Sequence, residues 1–295
     1  MIDPNTQTCI IVIALEAISG LCSNSFNIFS LILTSIKERH LASCDCILIS
    51  LSVSNVCCTI ITSTNLLISY VWPSLLRTSN AFYILYYMTL CGMTSSSWLT
   101  ASLCFFYFIK IQQFQPGILA WVKMKIDKIV PWLIVTAVFL SVSGGFLSLL
   151  VSGQELPKNS TKYVFDVNFE QTEILFRTSL IMHSLAFLVG IMSTFSSVWF
   201  LKVQRSAGTF GSTKVRDYQS AVQTMVRLVI LYAVIYLVLI IHGMEIFPNM
   251  SWGYWVCMII LFSFALVQSV LLMIGNPKLR EAWRQLFTLR YIPHQ

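Results

Sequence analysis

The stretch FFYFIKIQQF, Phe105 to Phe114, decides how this chain folds. An apolar run suited to hydrocarbon stops on one lysine, Lys110, and two glutamines follow. Upstream, largely uncharged sequence reaches back to about residue 81. A bilayer core is about 30 Å thick and a helix rises about 1.5 Å per residue, so roughly 20 such residues cross it. The stretch therefore reads as the end of a membrane-spanning helix, with Lys110 reaching the headgroups while its stem stays in the apolar zone.

Working outward, comparable segments recur at 9–35, 46–71, 129–151, 175–201, 223–246 and 253–275, and with 81–111 they make seven. The composition agrees: 56% of residues are hydrophobic and 11% charged, where soluble domains carry about a quarter charged. The expected fold is an all-α seven-transmembrane bundle, a single domain over 1–295. A short amphipathic helix follows at 277–290, where Leu279, Trp283, Leu286 and Phe287 share one face. The opening MIDPNTQTC lacks a basic n-region and a small-residue cleavage site, so the first segment is expected to be a retained anchor.

Charge sets the expected orientation. With the N-terminus outside, the inner segments collect Lys37, Arg39, Lys110, Lys123, Lys125, Lys128, Lys202, Arg205, Lys214, Arg216, Lys278, Arg280, Arg284 and Arg290. The outer segments hold only Arg77, Lys158, Lys162 and Arg177. This is the positive-inside pattern, and it places the N-terminus outside and the C-terminus in the cytoplasm. The net charge of +7 thus reflects the inner membrane face and not a nucleic-acid partner. The triplet Asn159-Ser160-Thr161 falls on the outer side and makes Asn159 the expected glycosylation site; Asn249-Met250-Ser251 lies closer to the membrane.

Polar residues within the spans point into the bundle, because lipid exposure costs several kcal/mol. Glu16, Gly20 and Asn24, four apart, share a face of the first helix. Asn24 is a candidate partner for Asn55 in LSVSN of the second, with Ser52 one turn away. In the third helix, Tyr86 to Ser97 mixes Tyr, Thr, Cys, Gly, Met and Ser, which suits the wall of a cavity. His183, His242 and Glu245 lie in the outer halves of the fifth and sixth helices. No HExxH, GxSxG or phosphate-binding loop occurs, so neither an enzyme nor a cofactor or metal is expected.

The local motifs resemble the bitter taste receptor family, taste receptor type 2. Its first helix carries E-xxx-G-xxx-N-x-F, matched by Glu16, Gly20, Asn24 and Phe26. Its third ends W-xAT-xLSxFYFLKIAxF, matched by Trp98, Leu103, Phe106, Tyr107, Phe108, Lys110, Ile111 and Phe114. ILAWVKMKI is similar to its F-LWLKWRI loop, and QSVLLMIGNPKLR to its HS-x-LI-x-GNPKLK, through Ser269, Gly275, Asn276, Pro277, Lys278 and Leu279. The rhodopsin-like Asp/Glu-Arg-Tyr, CWxP and NPxxY motifs do not occur, and the outer segment Ser152 to Ile174 has no cysteine for a disulfide to helix 3. The chain departs from the family at Asn55, where arginine is expected, at Tyr218 and Gln268, where histidines are, and at Thr89 and Met93, where tryptophan and asparagine are common.

The resemblance implies a plasma-membrane, G protein-coupled chemoreceptor. Its bitter small-molecule agonist would lie in the outer half, between helices 3, 5, 6 and 7, and its partner would be a gustducin-type heterotrimeric G protein. Candidate agonist contacts are Thr89, Met93, Thr94, His183, Tyr236, Ile240, Trp255 and Met258. Candidate coupling residues are Tyr107, Lys110, Lys202 and Arg205, whose basic members also suit anionic membrane lipids. A type 1 vomeronasal pheromone receptor is the alternative among receptors, and FYFIKI and GNPKL argue against it. A small transporter would need a polar path through the bilayer, and the segments show no half-repeats of the kind many transporters have.

Overall fold

The computed structural model describes residues 4–71, 81–153, 164–206, 212–248 and 250–288. Among these, eight helices run in order: α1 (Pro4–Glu38), α2 (Ser43–Val71), α3 (Ala81–Ile111), α4 (Ile118–Gly153), α5 (Val164–Ser206), α6 (Ser212–Gly243), α7 (Trp252–Gly275) and α8 (Pro277–Thr288). Six of the first seven are long and apolar enough to cross a membrane; α3 is long enough, but its Tyr, Thr, Ser and Gly residues lower its hydropathy. It can carry them because it is the central strut, packed against α2, α4, α5 and α6. Asn159 and Asn249 lie outside the described residues.

The bundle is apolar on its outside. Ile11, Phe29, Trp132, Phe139, Phe195 and Trp199 are exposed on the helices, the face a hydrocarbon solvent requires. Polar residues are held inside, where Asn24, Asn27, Asn55, Ser96 and Gln268 are each at most 1% exposed. α1 packs on α7 and α2, where a Cβ at Gly20 would meet Leu266 and Ala265 at ordinary van der Waals distance, and Asn27 donates to Ser269 Oγ at 2.8 Å.

Several helices begin earlier than hydropathy suggests: α4 at Ile118 and not 129, α5 at Val164 and not 175, α6 at Ser212 and not 223. A lipid-solubility criterion sees only the part within hydrocarbon, whereas helical hydrogen bonding continues into water where good helix formers allow it. The basic segment AWVKMKI is accordingly an N-terminal extension of α4.

Two ends use the same stop. Arg39 (φ 53) closes α1, with His40 N donating to Ser35 O and Arg39 N to Ile36 O. Glu245 (φ 51) closes α6, with Ile246 N donating to Ile241 O and Glu245 N to His242 O. Both are Schellman motifs whose left-handed residue is not glycine. The α7–α8 corner follows from GNPKL: Pro277 opens α8, where its missing N–H costs nothing, and Asn276 Oδ1 caps it by accepting from Lys278 N (2.8 Å) and Leu279 N (3.4 Å).

Candidate functional site

The half of the bundle away from Lys110 holds an open-mouthed cavity of about 1350 Å³. Its walls come from α2 (Thr59, Thr62, Asn65, Ser69, Tyr70), α3 (Tyr86, Thr89, Met93), α5 (Glu173, Phe176, Arg177), α6 (Leu239, His242, Gly243) and α7 (Tyr254, Met258, Phe262, Phe264), with Thr6 of α1 and Met244, Glu245 and Met250 beyond α6. Apolar and aromatic walls with scattered hydroxyls suit a small organic molecule. Gly243 lets the cavity close around Phe176, since a Cβ there would run into the Phe176 ring.

Of the agonist contacts expected from sequence, Thr89, Met93 and Met258 line this cavity. The other five stand outside its lining. His183 is buried, its Nδ1 2.8 Å from Ser179 O and 3.4 Å from Thr94 Oγ1, so Thr94 and His183 join α3 to α5. The Tyr236 hydroxyl lies 2.6 Å from Ser184 Oγ, its ring stacked on Phe187. Trp255 is buried with Ile13 and Phe262, 5.9 Å from the Tyr70 ring, and Ile240 is half-buried beside the lining residue Leu239. The α2 wall was not anticipated. Thr59, Thr62, Asn65 and Ser69, three or four apart, form a polar stripe along one face of α2, and that stripe was its signal.

The floor joins a buried polar network. Thr59 Oγ1 donates to Asn55 O (2.8 Å), and Ala265 O accepts from Asn24 Nδ2 (3.0 Å). Asn55 Nδ2 donates to Asn24 Oδ1 (3.2 Å) and Gln268 Oε1 (2.9 Å), while Ser96 Oγ donates to Asn55 Oδ1 (2.5 Å). Gln268 Nε2 then donates to Thr100 Oγ1 (2.8 Å) and to the Tyr232 hydroxyl (3.1 Å). One set of side chains thus ties α1, α2, α3, α6 and α7 together. Glu16 faces inward, with Oε2 buried and unpartnered among the described residues.

At the opposite end Lys110 does more than reach headgroups: its Nζ lies 2.9 Å from Asp127 Oδ2 and over the Phe106 ring, tying α3 to α4. The Tyr107 hydroxyl is 3.4 Å from Cys44 Sγ of α2. Lys202 and Arg205 are exposed on the last turns of α5. Lys278 bridges Glu38 (2.7 Å) and the buried Asp45 (3.0 Å), clamping α8 to α1 and α2. Among the described residues no three His, Cys, Asp or Glu side chains converge as a metal site would need.

The profile of the taste receptor protein family (TAS2R) matches residues 1–290. The chain belongs to the taste receptor protein family. It is similar to taste receptor type 2 member 40 of Gallus gallus, 25% identical over 92% of both chains, and to member 143 of Rattus norvegicus, 25% identical over 96% of this chain and 100% of that one. It is also similar to member 16 of Homo sapiens, 24% identical over 92% of this chain and 94% of that one. Membership makes it a multi-pass membrane receptor of the bitter taste, G protein-coupled class, and not an enzyme. The vomeronasal and transporter alternatives fall away.

Proposed function

We propose that this taste receptor is a plasma-membrane sensor, N-terminus outside, that binds small bitter agonists in the outer cavity and activates a gustducin-type G protein at the inner face. The observation that carries the reading is the continuity from cavity to bundle centre: Thr59 and Ala265, which line the cavity, are hydrogen-bonded to the network at Asn55 and Asn24. An agonist that favours one arrangement of this network shifts the receptor by its differential affinity for the two states. Thr89, Met93 and Met258 contact agonist directly, while Thr94, His183, Tyr236, Ile240 and Trp255 position the helices around it.

Tyr107, Lys110, Lys202 and Arg205 bear on the G protein, and the exposed basic side chains of α8 rest on anionic lipid. Asn159 carries the glycan. The fourteen basic residues of the inner segments support the orientation. The test is intracellular calcium in cells expressing the chain with a promiscuous, gustducin-tailed G protein, challenged with a broad bitter panel. A dose-dependent signal, lost on Lys110→Ala with surface expression intact, is expected. Solute flux through the purified protein with no G protein response would overturn the reading.

A further inference from the structure

Arg227 is exposed on α6 and makes no hydrogen bond or ion pair among the described residues. Its level in the bundle makes that costly. Tyr232, further along α6, meets Thr100 of α3 at 3.1 Å, and Lys110 lies further along α3 in the opposite direction. By helix rise, Arg227 therefore stands roughly 7 Å nearer the middle of the membrane than Lys110. A guanidinium within hydrocarbon needs a polar partner in reach of its long side chain. The acidic side chains described at this end are already engaged. Glu38 and Asp45 hold Lys278, Asp127 holds Lys110, and Glu281 accepts from Gln285.

The face around Arg227 has the layout of a phospholipid. Gln223, one turn nearer the start of α6, is exposed and offers further donors. In the other direction Ile230, Val234 and Leu237 are exposed at helical spacing. From Arg227 to Leu237 is about 15 Å of helix, half of the hydrocarbon core and so the depth of one leaflet. Thr224, one turn before Arg227, lies so close to Gly275 of α7 that a Cβ there would strike its hydroxyl. Arg227 thus flanks the seam of α6 with α7, whose Val267 and Ile274 are exposed in turn. The polar end takes a headgroup and the apolar track takes an acyl chain. The guanidinium fork matches phosphate, and its uncompensated charge favours a lipid of net negative charge over a zwitterionic one.

We propose that Arg227 holds the phosphate of one anionic phospholipid at the α6–α7 seam, with an acyl chain along Ile230, Val234 and Leu237. The lipid belongs to the leaflet at the Lys110 end of the bundle.

Native mass spectrometry of the purified full-length receptor in detergent tests it, with dioleoyl phosphatidylserine and dioleoyl phosphatidylcholine as the probes. The first phosphatidylserine is expected to bind about fivefold more tightly than the first phosphatidylcholine. Arg227→Gln should remove that difference, and Arg227→Lys should keep part of it. Lys128→Gln, on the exposed start of α4, should leave the first adduct unchanged. In the unaltered receptor, phosphatidylserine with a diazirine midway along its acyl chain should label peptides from 230–237 or 267–274. Equal affinity for the two lipids, a difference that survives Arg227→Gln, or an equal loss on Lys128→Gln would overturn the proposal. So would labelling confined to other helices. Displacement by chain-free glycerophosphoserine at equal concentration would reduce the site to an anion contact and overturn the seated chain.

Discussion

Asn55 Nδ2 lies 2.9 Å from Gln268 Oε1, so two positions at which this chain departs from the pattern of its family touch each other. Where arginine and histidine are expected, two neutral amides meet, each buried to within 1% of complete exclusion. A guanidinium would bring a full charge into this interior and require a carboxylate or several acceptors. Two amides satisfy each other without net charge. The departures therefore read as one paired replacement, which leaves helices α2 and α7 joined.

Cutting this pair should show coupling. Gln268→Leu takes one of the two acceptors from Asn55 Nδ2 and removes the donor to Thr100 and Tyr232, at a cost of about 2 kcal/mol. Asn55→Leu should cost a similar amount, since it removes the donor to Asn24 Oδ1 and to Gln268 Oε1 and the shorter of the two contacts of Ser96 Oγ. Thermal unfolding of the purified double variant should show a loss about 1 kcal/mol smaller than the sum of the singles. Strict additivity would mean the two amides act independently.

Restoring the family arginine should fail without a counter-charge. Asn55→Arg places a guanidinium among Asn24, Ser96 and Gln268, none of them acidic, and surface expression should collapse. Adding Gln268→Glu should recover much of it. Flow cytometry of a tagged receptor reads both arms, and full expression of Asn55→Arg alone would show that the network rearranges freely.

Gly243 tests the cavity wall. Gly243→Ala directs a methyl group at the Phe176 ring, which must swing aside and so reshape the cavity. Expression should persist, because a side chain and not backbone yields, while agonist potency shifts about tenfold in the calcium assay. Unchanged potency across agonists would place binding elsewhere.

How much of this was legible in the sequence depends on the kind of signal. The spans were, because lipid demands long apolar runs and Lys110 ends one of them; so was the α7–α8 corner, because Asn-Pro carries its cap within the sequence. Helix starts such as Ile118 and Ser212 were not, since beyond hydrocarbon nothing forces an apolar residue. Around the cavity, the lining positions of Thr89, Met93 and Met258 follow from their place along the helices together with family-like spacing, but Thr94 and His183 turn toward each other, a matter of helix rotation that spacing within one helix does not determine. The Asn55–Gln268 contact joins residues 213 apart and had no local trace.

Lys278 provides a pH-resolved prediction where α8 meets α1 and α2. Its hydrogen bond to Glu38 raises the amine above the ordinary lysine value, reinforced by Asp45 and opposed by partial burial. A raised amine contributes stability that is fully present below the unfolded value, about 10.4, and is lost as pH climbs through the higher folded one. Between pH 6 and 9 this clamp should therefore add no slope to the melting temperature. Lys278→Met should lower stability by about 2 kcal/mol throughout that range, because Asp45, only 3% exposed, loses its charged partner. Lys278→Met with Asp45→Asn should recover most of the loss, since a neutral amide tolerates burial without a cation. Melting of detergent-solubilised receptor at three pH values reads all of this. A loss on Lys278→Met that Asp45→Asn does not relieve would shift the clamp to Glu38, and α8 would then be anchored to α1 alone.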